Sequence, residues 1–152
     1  MERIGFNELP QGLYPAMKGM QDFVDHSGLP HSIISLIKLR ASYINSCAYC
    51  IDMHYKDAIA EGENPQRLYS LPAWRETPYY TPEEQAVLAF TEELTYLRAD
   101  VNADHIHDEL KKFYSKDEIA KLTMTVIAIN GWNRFVRSFG PTVGGYKPGA
   151  HK

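Results

Sequence analysis

Cys47-Ala48-Tyr49-Cys50-Ile51-Asp52-Met53-His54 is the stretch on which the reading of this chain turns. It holds the only two cysteines in 152 residues, set three apart, and a histidine follows the second by four. On a helix these spacings put both thiols and the imidazole on one side. The flanking residues predict that helix. Asn45-Ser46 offers an N-cap, the helix runs from Cys47 to Glu61, and Gly62 ends it where a left-handed backbone is most often needed.

Helical periodicity extends in both directions from this stretch. Upstream, Pro15 to His26 reads as a helix, with Met17, Met20, Phe23 and Val24 at apolar spacing. Gly28-Leu29-Pro30 breaks it, and His31 to Tyr43 forms the next, with Ile33, Ile34, Ile37 and Ala41 on one stripe. Downstream, residues 63–80 carry Pro65, Pro72 and Pro78 and read as an aromatic-rich connection. Thr81-Pro82-Glu83-Glu84 is a capping box with proline at the first helical position. The helix it opens reaches about Leu97, with Val87, Phe90, Leu94 and Leu97 inward. A short helix runs from Asn102 to about Phe113. Ser115-Lys116-Asp117-Glu118 then opens a long apolar helix through Ile119, Leu122, Val126, Ile129, Asn133 and Val136. Gly140-Pro141-Thr142-Val143-Gly144-Gly145 cannot continue it. No segment alternates as a strand would. The prediction is an all-α fold of six to seven helices, one domain over residues 1–152, with its core within about 10–138 and an irregular tail over 139–152. Helices apolar on more than one face, 119–136 above all, predict a homo-oligomer.

Composition narrows the function classes. At 44% hydrophobic and 23% charged, the chain suits one globular domain with a real core. Its formal net charge of −3, without a Lys/Arg run, argues against a nucleic-acid partner. The longest apolar run, around Val126-Ile127-Ala128-Ile129, is too short for a membrane span. Met1-Glu2-Arg3-Ile4-Gly5-Phe6-Asn7 has no signal-peptide core, so a cytoplasmic location is the expectation. There a disulfide is more often transient and catalytic than a permanent staple.

The cysteine stretch has a definite chemistry. Residues i and i+3 of a helix have Cα atoms roughly 5 Å apart, within the span of a disulfide. A helix N-terminus favours thiolate over thiol. His54 stands one turn after Cys50 and can take its proton. A Cys50 thiolate can then attack an electrophilic oxygen to give a sulfenic acid, which Cys47 condenses with to form the disulfide. An external dithiol must reduce it again. Competing readings are weaker. Structural zinc needs four ligands and no second pair exists. A c-type haem needs histidine where Ile51 stands. A thioredoxin-type site would follow a strand. Two inert buried cysteines remain the plain alternative.

Other residues invite structural roles. His31 reads as a surface or capping residue, and His105 and His107 are two apart and face differently. His151 lies in the tail. Trp74 and Trp132 suit the core or a subunit contact, Arg134 a structural ion pair, and Asn130 and Asn133 the satisfaction of buried backbone.

The run Leu39-Arg40-Ala41-Ser42-Tyr43-Ile44-Asn45-Ser46 leading into Cys47 and on to His54 resembles the core motif of alkylhydroperoxidase D-like (AhpD-like) proteins of the carboxymuconolactone decarboxylase superfamily. The likeness continues through Leu71-Pro72-Ala73-Trp74-Arg75-Glu76-Thr77 and Ala128-Ile129-Asn130-Gly131-Trp132-Asn133-Arg134. The resemblance implies an all-helical protein assembled as a trimer or hexamer, and a peroxidase that needs no haem, metal or other cofactor. It assigns peroxide attack to Cys50, resolution to Cys47 and proton transfer to His54. The substrate would be a small hydroperoxide and the reductant a dithiol, for which a lipoyl-bearing protein serves the best-known relative. Two positions depart from the family pattern. Ser35 stands where a relay glutamate is expected, and a hydroxyl has no useful basicity near neutral pH. Water or another carboxylate is the expected stand-in, with Glu76 and Glu84 as the candidate carboxylates. Tyr49 stands where the best-studied member has histidine. The same resemblance leaves two other readings open: a non-redox lyase, and a non-catalytic redox-sensing helical oligomer.

Overall fold

Seven α-helices and two short 3-10 stretches make up a computed structural model that describes residues 2–150. The helices are α1 (Leu13–Asp25), α2 (His31–Ile44), α3 (Ala48–Ala60), α4 (Pro65–Ser70), α5 (Pro82–Tyr96), α6 (Asp104–Leu110) and α7 (Lys116–Phe139). The 3-10 stretches are Phe6–Glu8 and Leu71–Glu76. No strand occurs among the described residues. None of their helices is long and apolar enough to cross a membrane.

Local chemistry sets the strongest boundaries. Thr81 Oγ1 accepts from the Glu84 N–H at 3.2 Å while Glu84 accepts from the Thr81 N–H at 2.8 Å. Ser115 and Glu118 repeat this reciprocal pair at the start of α7. Each box satisfies two N–H groups that the helix itself leaves without partners. Gly140, left-handed at φ 69°, closes α7.

α2 is the centre of the fold and packs against α3, α5 and α7. Its two sides face two cores. Ile33, Ile37 and Ala41 pack with Val24, Val87, Phe90, Leu122, Val126 and Ile129. Leu36 and Leu39 pack with Ala58, Leu68, Leu71, Trp74 and Leu88. A helix buried on both sides needs no single apolar stripe, so the stripe read from Ile33, Ile34, Ile37 and Ala41 is only half of the α2 surface that is buried.

The structure corrects several expectations. Residues 63–80 are not a bare connection. Asn64 caps α4 through the Gln66 N–H at 2.8 Å, with Pro65 at the first position, and a 3-10 stretch follows. A proline at N1 starts a helix and yet reads as a break, which is why the pattern missed it. Phe23 is 51% exposed, and Leu97 is 71% exposed at a left-handed φ of 47° that ends α5. Neither belongs to the core: Phe23 falls off the buried arc of α1, and Leu97 lies past the last residue of α5. Residues 141–150 form no helix, yet they are tied to α3. His151 lies outside the described residues.

Candidate redox site

α3 does not begin where Asn45 and Ser46 would cap it. Cys47 is itself the N-cap residue, Asn45 is the last residue of α2's exit, and Ser46 turns the chain at φ 51°. A left-handed serine is uncommon and costs roughly 1–2 kcal/mol, so something must hold this corner. The holder is α7. The Asn45 side-chain amide donates to Asn130 Oδ1 at 3.0 Å and to Asn133 Oδ1 at 2.9 Å. Asn133 Nδ2 donates to Ser42 Oγ at 3.1 Å, and Arg137 donates to the Asn45 carbonyl at 2.8 Å. Asn130 in turn donates to Thr95 of α5 at 3.0 Å. Asn130 and Asn133 therefore satisfy the side chains of the turn ahead of Cys47 more than they satisfy buried backbone.

Cys47 and Cys50 are joined as a disulfide, with their Cα atoms 5.3 Å apart. Both residues are about fully buried in the protein's own packing, at 1% exposure each. They differ in what they face. Cys50 lines a groove of about 770 Å³ together with His54, Met53, Tyr49 and Asp57 of α3; Cys47 does not. Positions 50, 54 and 57 share one face of α3, as the spacing requires. Burial, reinforced by the Lys38 ammonium, holds the His54 imidazole down at about 3. The ring is therefore neutral at ordinary pH and passes a proton on rather than storing it.

Sequence reading missed Lys38. α2 and α3 run antiparallel, and His31 Nδ1 lies 4.0 Å from Glu61 at the far end of the pair. With equal rise on both helices, that register sets Lys38 near the level of His54 and Ser35 near that of Asp57. Ser35, Lys38 and Glu61 line the groove too. Lys38 lies 4.0 Å from Asp25 of α1 and is the cation that bears on His54. No motif flags it, since only the pairing of two helices brings it to the site.

Neither proposed replacement for the relay carboxylate reaches the groove. Glu84 is bound to Arg67 at 2.5 Å and to its own capping box, and Glu76 is exposed at the end of its 3-10 stretch. The carboxylate on the cysteine face is Asp57 instead. Tyr146 donates to its two oxygens at 2.8 and 3.1 Å. Burial and Asp57 push the Tyr146 phenol up to about 12, so it stays a donor. Lys56, paired with Asp52 at 2.9 Å, also donates to the carbonyls of Gly144 and Tyr146 at 3.0 and 3.2 Å. These contacts tie the tail to the groove's edge.

The second motif serves the scaffold. Glu92 of α5 accepts from Arg40 at 3.0 Å, from Trp74 Nε1 at 2.7 Å, and pairs with Arg75 at 2.6 Å. Trp74 is in the core, and Arg134 is an exposed residue that donates to Asn130. His31 is exposed, and His107 lies edge-on to Phe90. Among the described residues no group of three or more His, Cys, Asp or Glu side chains is placed to hold a metal ion.

Comparison with known proteins sets this geometry in a family. The model of the carboxymuconolactone decarboxylase family matches residues 11–93. The uncharacterized protein YdfG of Bacillus subtilis is 34% identical over 140 residues, 91% of this chain and 95% of YdfG. A crystal structure of a protein of unknown function from Agrobacterium tumefaciens, whose description offers it as an antioxidant defence protein AhpD, superimposes with a TM-score of 0.90 at 35% identity. That match covers 96% of this chain and all of the other. The debrominase Bmp8 shares the fold at a TM-score of 0.77 and 19% identity, over 88% of this chain and 72% of its own. With its all-helical single domain and its Cys47–Cys50 pair, the chain belongs to the carboxymuconolactone decarboxylase family as one of its AhpD-like members.

Proposed function

We propose that this protein is a cofactor-free thiol peroxidase working through Cys50, Cys47 and His54. The observation that carries the reading is the asymmetry of the pair: of two cysteines one turn apart, only Cys50 lines the groove. In the reduced protein, His54 relays the Cys50 proton onward without holding it, and the helix N-terminus and the Lys38 ammonium favour the thiolate. The thiolate attacks the terminal oxygen of a hydroperoxide. An S–O bond forms, the O–O bond breaks, and the leaving alkoxide takes a proton to depart as an alcohol. Sulfur is oxidised by two electrons and the peroxide is reduced by two. The Cys47 sulfur then displaces the sulfenic oxygen as water, forming the disulfide. An external dithiol exchanges with that disulfide to restore both thiols. A lipoyl-bearing protein suits the role of dithiol, and a homo-oligomer, trimer or hexamer, suits the apolar helices.

The test is steady-state peroxide consumption with dihydrolipoamide as donor. Cys50→Ser is expected to lose turnover. Cys47→Ser is expected to stop at a sulfenic acid that dimedone traps on Cys50. Equal consumption by wild type and Cys50→Ser would sink the reading. Ser35, in place of a carboxylate, favours a second reading in which the pair senses oxidants without rapid turnover. That reading predicts reversible disulfide formation by mass spectrometry with no sustained consumption.

A further inference from the structure

His54 leaves one step of the oxidation without a proton donor. When the O–O bond of a hydroperoxide breaks, the departing oxygen is an alkoxide or hydroxide. Both are strong bases: the conjugate acid of hydroxide has a pKa of about 15.7 in bulk water. Such an oxygen leaves readily when a positioned acid meets it as the bond breaks. The His54 imidazole is buried and held down at about 3, so it carries no imidazolium proton to give at ordinary pH.

Among the described residues that line the groove, other acids fall short. The Tyr146 phenol already donates to both Asp57 oxygens and is pushed up to about 12. Burial pushes the Tyr49 phenol up as well. Lys18 is half exposed on α1 and bound to Asp22 at 2.6 Å, and His26 and His31 are exposed. Lys38 differs from all of these. Its side chain is 16% exposed, and its charge bears on the His54 ring. With His31 opposite Glu61, Lys38 falls at the level of His54, about one helical turn from Cys50. The charges around it are Asp25 of α1 at 4.0 Å and, lining the same groove from α3, Asp57 and Glu61. A lysine ammonium ordinarily gives up its proton near about 10.4, well below an alcohol or water, so transfer to the departing oxygen runs downhill.

We propose that Lys38 is a further catalytic residue, the general acid that protonates the departing oxygen when Cys50 attacks a hydroperoxide. The inference rests on the thiol-peroxidase reading and adds a residue to it. The S–O bond forms on Cys50, the O–O bond breaks, and the departing oxygen takes a proton from the ammonium to leave as an alcohol or water. Sulfur loses two electrons and the peroxide gains them. Lysine is left as a neutral amine, which recovers a proton from solvent before the next turnover. The thiol's own proton, relayed through His54, goes to solvent, so the count of protons closes. Lys38 thus acts twice, first by its charge on the thiolate and then by its proton on the leaving group.

Two oxidants of nearly equal size separate those roles on the full chain. Ethyl hydroperoxide releases ethoxide, which needs a proton, whereas peracetic acid releases acetate, which leaves as a stable anion. Pre-reduced protein is mixed with each, and the remaining thiol is alkylated at timed intervals to give second-order rate constants. The quantity read is their ratio, hydroperoxide over peracid. Lys38→Arg keeps the positive charge but holds its proton, and the ratio is expected to fall at least about tenfold from wild type. Lys38→Gln is expected to show the same fall. It is also expected to alkylate Cys50 with iodoacetamide more slowly than Lys38→Arg does, because the thiolate has lost its cation. Equal losses with both oxidants, leaving the ratio unmoved in Lys38→Arg and Lys38→Gln, overturn the proton-donor role, as a merely structural lysine would give that result. Consumption of the peracid alone by wild type overturns it too. If wild type consumes neither oxidant, the peroxidase reading itself fails and the donor role falls with it.

Discussion

The Asn45 side-chain amide lies 2.9 Å from Asn133 Oδ1, joining the turn that leads into Cys47 to the middle of α7. Asn133 is fully buried, and its own amide reaches Ser42 on α2. One asparagine thus fixes the exit of the helix before the disulfide and the corner that starts the helix carrying it. The redox pair is positioned from below by a polar cluster, because an apolar contact would not specify the left-handed turn at Ser46.

Replacing Asn133 by leucine strands the buried Ser42 hydroxyl and leaves the half-buried Asn45 amide with Asn130 alone. One unsatisfied buried group costs about 1–3 kcal/mol, so a loss of that size is expected. Urea unfolding measures it. The same variant is expected to re-form the Cys47–Cys50 disulfide more slowly than wild type after reduction, since the corner is no longer held.

Glu92→Gln tests the second motif. Glu92 is 8% exposed and serves Arg40, also 8% exposed, together with Trp74 and Arg75. Removing one partner of a buried pair leaves a charge uncompensated, at about 3–5 kcal/mol. Thermal and denaturant unfolding are expected to show that loss, with thiol reactivity at Cys50 little changed, because the cluster faces the other core.

Acid stability reports on His54. Its imidazole is held down at about 3 in the folded protein, against an ordinary value of 6.5. Below about pH 6.5 the unfolded chain binds a proton there that the folded chain refuses. Stability from this group is therefore complete above that pH and falls as the pH drops towards 3, with a slope approaching about 1.4 kcal/mol per unit. Unfolding free energies of wild type and His54→Asn between pH 4 and 7 are expected to converge on acidification. Parallel curves would show that the ring titrates normally.

Ser35→Glu restores a carboxylate to the α2 side of the groove, one turn from Lys38. A positioned general base is worth about 10²–10⁴-fold. Peroxide turnover with dihydrolipoamide is expected to rise at least about tenfold. An unchanged rate would mean that the natural site already has its proton acceptor, with Asp57 the groove carboxylate to examine next.

Legibility followed the range of the interactions. The boxes at Thr81 and Ser115 and the stop at Gly140 are decided within a few residues, and each is found where its letters put it. Phe23 and Leu97 failed because an apolar residue at helical spacing is buried only if another element covers it. Asn64-Pro65 failed because a proline at a helix start and a proline at a break look the same in one dimension. At the site, Cys47, Cys50 and His54 lie within eight residues on one helical face and needed no tertiary information to be grouped. Asp57 shares that face by the same local spacing, whereas Lys38 and Tyr146 lie more than a hundred residues apart in the chain and no local pattern links either to the cysteines.

By itself, then, the order of residues determined the helices and the one-turn sulfur pair, because hydrogen bonds and side-chain spacing along a single helix are local quantities. Only the packing of α2, α3 and α7, with both chain ends laid across them, decided which sulfur meets the groove, which cation bears on the imidazole and what surface a ligand would touch. Burial and long-range charge depend on what covers a residue, and that is a property of the assembled fold.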